Sequence, residues 1–96
     1  MQKAAFVAFI KGMVQGVGYR YFAYRRAAVY DITGYVRNLA DGSVEVFAEG
    51  PRTQLEAFLG ELKRGPQFSH VEEVEVNWGE FQQKYEKFFI DTGYGY

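Results

Sequence analysis

Hydrophobic and polar residues follow one another along this chain in blocks that predict a definite order of strands and helices. Residues 4–11 are almost continuously apolar, which is typical of a central strand covered on at least one face. Residues 19–30 contain no helix breaker and predict the first helix, with apolar residues at helical spacing at Tyr19, Phe22, Ala23, Ala27 and Tyr30. Arg26 interrupts that stripe, so the pattern alone leaves the buried face of this helix open.

A hairpin is predicted after the first helix. Its strands cover residues 32–39 and 43–49, and the dipeptide Asp41-Gly42 between them favours a tight turn. In the second of these strands small apolar residues alternate with acidic or aromatic ones, namely Val44, Val46 and Ala48 against Glu45, Phe47 and Glu49. This alternation predicts a strand that turns one face toward the core.

The second half of the chain predicts another helix and two further strands. Gly50-Pro51 places proline where it suits the first turn of a helix, and Gly65-Pro66 ends that helix. Its apolar stripe has the spacing of a helix packed on one side, at Leu55, Phe58, Leu59 and Leu62. His70 begins a fourth strand in which apolar and polar residues alternate, and residues 85–90 predict a short fifth strand at an edge of the sheet.

The order β-α-β-β-α-β with a final strand predicts an α+β fold, the ferredoxin-like split β-α-β sandwich. We expect a partly antiparallel sheet of four to five strands with two helices on one face. Because crossover connections are right-handed, the first two strands should run parallel, with the hairpin partner of the second between them. Their C-terminal ends then share one sheet edge, so the loop after the first strand should lie beside Arg37-Asn38.

Composition limits what the chain can be. Its 96 residues are enough for one domain, expected over residues 1–96, and its 48% apolar and 24% charged residues are those of an ordinary soluble globule. A formal net charge of −1 gives no general attraction to nucleic acid or to a membrane surface. Any positive field must be local, and basic side chains do fall early in the chain, at Lys11, Arg20, Arg25, Arg26 and Arg37.

Several classes of site are excluded or not expected. The chain has no cysteine, which excludes disulfides, thiolate nucleophiles and cysteine metal sites, and its lone His70 cannot build a histidine metal site. We expect neither a metal nor a cofactor. The N-terminal residues lack a signal-peptide pattern and no segment has the length of a membrane span, so a cytoplasmic location is the expectation.

One segment carries a specific chemistry. Residues 12–20, Gly-Met-Val-Gln-Gly-Val-Gly-Tyr-Arg, lead from a hydrophobic strand into a helix and contain three glycines. Glycine accepts positive φ and has no Cβ, so backbone N–H groups can gather around one point. Unpaired amides at a helix N-terminus favour an anion, and the guanidinium of Arg20 adds a bidentate donor. The segment predicts a phosphate-binding loop.

Two segments together resemble the signatures of the acylphosphatase family. Residues 12–20 resemble the first, and residues 34–44, Gly-Tyr-Val-Arg-Asn-Leu-Ala-Asp-Gly-Ser-Val, resemble the second, with Asn38 at the position of its asparagine. Gly50-Pro51 also fits, and the resemblance covers essentially the whole chain except the tail over residues 91–96, to which we assign no role. Two signatures in the right order are far more specific than a glycine-rich loop alone.

The resemblance implies hydrolysis of a carboxyl–phosphate anhydride to a carboxylate and inorganic phosphate. It implies that Arg20 binds the phosphoryl oxygens together with loop amides, those of Gln15, Gly16, Val17, Gly18 and Tyr19. It also implies that Asn38 holds the attacking water, with Ser43 supporting Asn38 from across the hairpin. The partner is then a small acyl phosphate, and we expect a free-standing monomer.

Simpler interpretations of single residues stand beside this hypothesis. Taken alone, Arg20 would be a solvated helix residue and Asn38 a turn former at a strand end. The other arginines are most simply surface charges, Val14 and Val17 are expected to pack beneath the loop, and Tyr19, Tyr21 and Tyr24 are expected to be packing or surface aromatics.

Three other functions remain as alternatives. The chain could be an acylphosphatase-like module that binds phosphate or carbamoyl phosphate, as at the front of certain much longer carbamoyltransferases, or an inactive regulatory binder. The same fold also includes RNA-binding modules that stack bases on sheet aromatics, but residues 43–48 offer one aromatic flanked by acids.

Overall fold

The computed structural model describes residues 2–93, so Met1 and residues 94–96 of the tail lie outside the description. Its elements occur in the predicted order, with two helices and five strands: β1 (Lys3–Met13), α1 (Tyr19–Val29), β2 (Thr33–Asn38), β3 (Val44–Pro51), α2 (Arg52–Arg64), β4 (His70–Gly79) and β5 (Phe88–Ile90). No helix within residues 2–93 is long and apolar enough to cross a membrane.

The sheet has the order β4-β1-β3-β2-β5. Strand β3 lies between β1 and β2 and is antiparallel to both, so β1 and β2 run parallel as predicted. Strand β4 pairs antiparallel with β1, and β5 pairs parallel with β2 at the opposite edge. The C-terminal ends of β1 and β2 therefore point the same way and lie at the same end of the sheet. This confirms the arrangement that the crossover rule predicts.

The core lies between the sheet and the two helices. Every residue of the predicted α2 stripe is buried, which confirms that part of the pattern. On α1 only Tyr19, Ala23 and Ala27 are buried. Phe22 and Tyr30 are only partly buried. The buried strand residues that meet these helices are mainly small or β-branched, for example Ala8, Ile10, Val36, Val44 and Val46.

The other sheet face carries a cluster of aromatic rings, which we call the open-face cluster: Tyr35, Phe47, Tyr85 and Phe89. Neighbouring ring centroids in it lie between 5.4 and 6.2 Å apart. Aromatic pairs at this separation contribute dispersion and electrostatic attraction beyond their buried area. The cluster lies on the face to which the alternation in β3 assigns its acidic and aromatic residues.

Two acidic residues of β3 are more buried than that alternation indicates. Glu45 is 8% and Glu49 is 1% exposed. Glu45 accepts hydrogen bonds from the Tyr35 hydroxyl at 3.0 Å and from Nε of Arg37 at 2.6 Å. Glu49 accepts from the backbone N–H groups of residues 82 and 84 at 2.6 and 2.8 Å. Each buried carboxylate therefore has donors, as burial of a charge requires.

The structure also corrects three smaller expectations from the sequence. The fifth strand begins at Phe88 and not at residue 85, because the preceding loop is held by its backbone to Glu49. Pro51 ends β3 and is the N-cap of α2, so the helix proper begins at Arg52. Arg26 and Arg37 are not simple surface charges, since each contacts a carboxylate, Glu61 for the first and Glu45 for the second.

Candidate active site

The glycine-rich loop joins the end of β1 to the start of α1. Gly16 and Gly18 have φ of +75° and +81°, in the left-handed region that favours glycine, and Gly18 is the N-cap of the helix. Below the loop, Val14 is buried and Val17 packs against the core, as expected from the sequence. The two glycines let the chain bend sharply, while the two valines fix the bend to the interior.

The bend leaves the loop amides available to an anion. None of the N–H groups of residues 15–19 donates to an acceptor within residues 2–93, and the first helical bond runs from Phe22 N–H to the Gly18 carbonyl at 3.0 Å. A helix N-terminus carries a partial positive charge, and unpaired N–H groups there bind anions readily. The geometry fits the predicted phosphate-binding loop.

Arg20 and Asn38 lie at the same cavity. It has a volume of about 300 Å³, and its lining includes Gly16, Gly18, Arg20 and Asn38. A neighbouring cavity of about 210 Å³ shares Arg20 and Asn38 with it. Arg20 follows the loop by two residues and Asn38 ends β2, so the parallel strands bring together two side chains that are far apart in the sequence.

Two arginines near this site, Arg37 and Arg20, differ in whether they pair with a carboxylate. The Arg37 guanidinium is paired with Glu45, and this hydrogen bond raises the pKa of Arg37 above its ordinary value. Arg20 forms no ion pair with any residue of the described part, 2–93. Its guanidinium is therefore the cation at the loop that is free to bind an anionic substrate.

Asn38 presents an unused polar atom. Its Oδ1 is buried, and no donor within residues 2–93 reaches it. A buried carboxamide oxygen without a partner is costly, because the atom has lost its water and gained nothing in return. At a cavity lining, such an atom is suited to a water molecule or to a substrate group that restores the missing bond.

Ser43 closes the turn that follows Asn38. Its hydroxyl and its N–H both reach Oδ1 of Asp41, at 2.6 and 2.9 Å. These hydrogen bonds lower the pKa of Asp41, since they favour the carboxylate. The Ser43 hydroxyl thus donates to Asp41, and no hydrogen bond joins it to the Asn38 side chain within residues 2–93.

Gln15 makes a contact that the sequence analysis missed. Its side-chain Nε2 donates to the backbone carbonyls of Leu39 and Ser43, at 2.8 and 2.9 Å. The amide side chain therefore ties the glycine-rich loop to the turn after β2. The two N–H donors of the Gln15 side chain, in a loop of glycines and valines, were a signal for such a contact. The sequence did not show which groups accept from them, because these lie 24 and 28 residues away.

The tyrosines of α1 have different surroundings. Tyr19 is 1% exposed and its hydroxyl donates to the Leu62 carbonyl at 2.6 Å, and burial raises its pKa well above the ordinary value of 10.0. Tyr21 is 59% exposed, lines the larger cavity and stacks on Tyr24 with 6.3 Å between ring centroids. Tyr19 thus packs in the core and Tyr21 is a surface aromatic, both as expected, and both also line the larger of the two cavities.

Comparisons with known proteins agree on one family. Residues 6–90 match the family model described as acylphosphatase. The chain is 58% identical over 74 residues to the acylphosphatase of Thermus thermophilus, covering 77% of this chain and 84% of that one. The crystal structure of the acylphosphatase from Bacillus subtilis superposes with a TM-score of 0.89 at 35% identity, covering 92% of this chain and 98% of that one.

The same fold also occurs inside a much longer protein. The crystal structure of HypF from T. kodakarensis superposes with a TM-score of 0.79 at 31% identity. The match covers 92% of this chain but only 12% of that one. The family likeness therefore extends both to chains of similar length and to a part of a larger chain.

Proposed function

This chain belongs to the acylphosphatase family and is a hydrolase that cleaves the carboxyl–phosphate bond of acyl phosphates, and we propose that the reaction takes place at the cavity of Arg20 and Asn38. One observation carries the proposal. The free guanidinium, the unpaired loop amides and the partnerless carboxamide oxygen all meet at one cavity, although two separate segments supply them.

Arg20 and the loop bind the phosphoryl group in this proposal. The N–H groups of residues 15–19 and the helix N-terminus supply donors to the phosphoryl oxygens, and the guanidinium of Arg20 binds two of them as a fork. Because these donors are fixed before the substrate arrives, they stabilise the charge that spreads over those oxygens in the transition state without rearranging.

Asn38 holds the water that attacks phosphorus. Oδ1 of its side chain accepts a hydrogen bond from this water, which supplies the missing partner of that buried atom. A carboxamide is not a base, so the water's proton passes to a phosphoryl oxygen. The water oxygen forms the new bond to phosphorus while the bond from phosphorus to the acyl oxygen breaks, giving a carboxylate and dihydrogen phosphate.

The leaving group explains why so few residues suffice. The conjugate acid of a carboxylate has a pKa of about 4, so the acyl group departs without a proton near neutral pH. Neither a general acid nor a metal is needed to assist its departure. An alkoxide leaving group does need a proton, so simple phosphate esters should be poor substrates.

The finer properties of the protein are part of the same proposal. We propose that residues 1–96 work as a single acylphosphatase domain and as a monomer, in the cytoplasm, without a nucleic-acid partner. The near-neutral net charge of −1 supports the lack of a nucleic-acid partner. Light scattering of the purified chain tests the monomer directly, since a dimer would double the measured mass.

One comparison of substrates tests the proposed reaction. Benzoyl phosphate and p-nitrophenyl phosphate are offered to the purified protein, each with and without a chelator. Rapid cleavage of the acyl phosphate alone, unchanged by the chelator, is the expected result. Binding of phosphate without turnover would favour a module that only binds, and loss of turnover with the chelator would refute the metal-free mechanism.

A further inference from the structure

The side chain of Gln15 joins the two halves of the active site. Gln15 lies in the glycine-rich loop, directly before Gly16, and its Nε2 donates at 2.8 Å to the Leu39 carbonyl and at 2.9 Å to the Ser43 carbonyl. Leu39 directly follows Asn38 in the chain. One carboxamide thus connects the loop that binds the phosphoryl group to the residue next to the water-binding asparagine.

The hairpin turn closes without this connection. The Leu39 N–H donates to the Ser43 carbonyl at 2.9 Å, and the Gly42 N–H donates to the Leu39 carbonyl at 3.2 Å. Both carbonyls that Gln15 reaches therefore already have a partner within the turn. The bonds from Gln15 are additional, and their distinct effect is to fix the turn relative to the loop.

We propose that Gln15 is a positioning residue for the hydrolysis. Its two hydrogen bonds set the separation between the phosphoryl-binding amides and Asn38, so that the bound water faces phosphorus in line with the departing acyl oxygen. This inference rests on the proposed function, because it takes the roles of Arg20 and Asn38 as given. A role of this kind acts on turnover and leaves the affinity for phosphate largely unchanged.

Gln15→Met is the first test, because methionine is close to glutamine in length and has no donor. We expect kcat for benzoyl phosphate to fall about 100-fold, the loss that a misplacement of about 1 Å can cause. The inhibition constant of inorganic phosphate should stay within about threefold of wild type, which also shows that the variant is folded and the loop intact. The control is Gln54→Met, on the exposed side of α2, which should match wild type.

Two results of this test would overturn the inference. Wild-type kcat in Gln15→Met would show that the two hydrogen bonds from the Gln15 side chain are not needed for turnover. Losses of kcat and of phosphate affinity by the same factor would show that Gln15 supports the loop as a whole. Asn38→Ala is measured in parallel: if Asn38→Ala retains wild-type turnover, the proposed water-binding role of Asn38 fails, whatever Gln15→Met does.

Gln15→Glu adds a readout that depends on pH. A carboxylate at this position has no donor, whereas the protonated acid has one O–H to offer to a carbonyl. Relative to wild type, kcat of Gln15→Glu should rise as the pH falls through the carboxyl pKa and should exceed that of Gln15→Met at the acid end. Relief of charge repulsion alone would raise Gln15→Glu only to the level of Gln15→Met, and that outcome would contradict the role of the donor.

Discussion

Tyr19→Phe removes a single hydroxyl and tests how the start of α1 is fixed to α2. The Tyr19 hydroxyl donates to the Leu62 carbonyl at 2.6 Å, and both residues are fully buried. In a regular helix that carbonyl would accept from the N–H four residues later, but residue 66 is proline and has none. The next available donor, Gly65 N–H, goes to the Glu61 carbonyl. The Leu62 carbonyl therefore depends on Tyr19.

The size of the effect follows from that dependence. Leaving a buried acceptor without a partner costs about 1–3 kcal/mol, and the variant leaves this carbonyl no donor. For a domain of this size each kcal/mol corresponds to roughly 4–8 °C in the melting temperature. We expect Tyr19→Phe to lower the melting temperature by about 10 °C at pH 8. Tyr24→Phe is the control, because its side chain is 42% exposed, and it should change stability by less than about 0.5 kcal/mol.

The pH dependence of this difference gives a second check. Burial raises the pKa of Tyr19, so the native state keeps the phenolic proton above pH 10.0, where the unfolded chain releases it. Stability from this group is present below the unfolded pKa and is lost as the pH rises toward the native pKa. The difference between wild type and Tyr19→Phe should therefore shrink above about pH 10.

Thermal unfolding followed by circular dichroism at pH 8 measures the fall in melting temperature. Urea unfolding at pH 8 and at pH 11 measures the free-energy difference between the two proteins at each pH. The pKa of Tyr35 is also raised, to about 12, by burial and by its hydrogen bond to Glu45. Tyr35 is present in both proteins, so its contribution cancels in the difference. A stability loss no larger than that of Tyr24→Phe, or a difference that is the same at both pH values, would refute the reasoning.

Two further substitutions separate binding from folding. Arg20→Lys replaces a bidentate fork by a point charge, so kcat/KM for benzoyl phosphate should fall about 100-fold or more. The control, Arg25→Lys, should keep kcat/KM near wild type. Equal activities of the two variants would show that Arg20 does not bind the phosphoryl group. Gly34→Ala would place a Cβ 1.9 Å from the Phe47 carbonyl oxygen, at a φ of +141°, so thermal denaturation should show a loss of at least about 3 kcal/mol or no folded protein. Gly42→Ala, which meets open space, should cost only about 1–2 kcal/mol, and similar losses in the two variants would contradict the steric argument.

The sequence was sufficient for the parts of the molecule that follow from periodicity and chain handedness. The α2 stripe from Leu55 to Leu62 has helical spacing, and all of it is buried. The right-handed crossover rule placed β1 parallel to β2 and so brought the glycine-rich loop near Asn38. Both inferences depend on local pattern and on one topological rule, so they need no knowledge of distant contacts.

The sequence was insufficient where a polar side chain finds its partner far along the chain. Glu49 looks like a solvent-facing residue of an alternating strand, yet it is buried because a loop more than thirty residues later supplies two N–H donors. The resemblance implies support of Asn38 by Ser43, whereas the hydrogen bond that the Ser43 hydroxyl donates goes to Asp41, two residues away. The resemblance implies phosphate binding by the backbone N–H of Gln15. It gives no sign of the two hydrogen bonds that the Gln15 side chain donates to Leu39 and Ser43.

Asn38→Ala, assayed for turnover and for phosphate affinity in the same preparation, tests the central claim most directly. The account holds that Arg20 and the loop amides bind the phosphoryl group while Asn38 only orients the water, so kcat for benzoyl phosphate should fall by about 100-fold or more. The inhibition constant of inorganic phosphate should remain within about threefold of wild type. Normal turnover in the variant, or a loss of phosphate affinity as large as the loss of turnover, would contradict it.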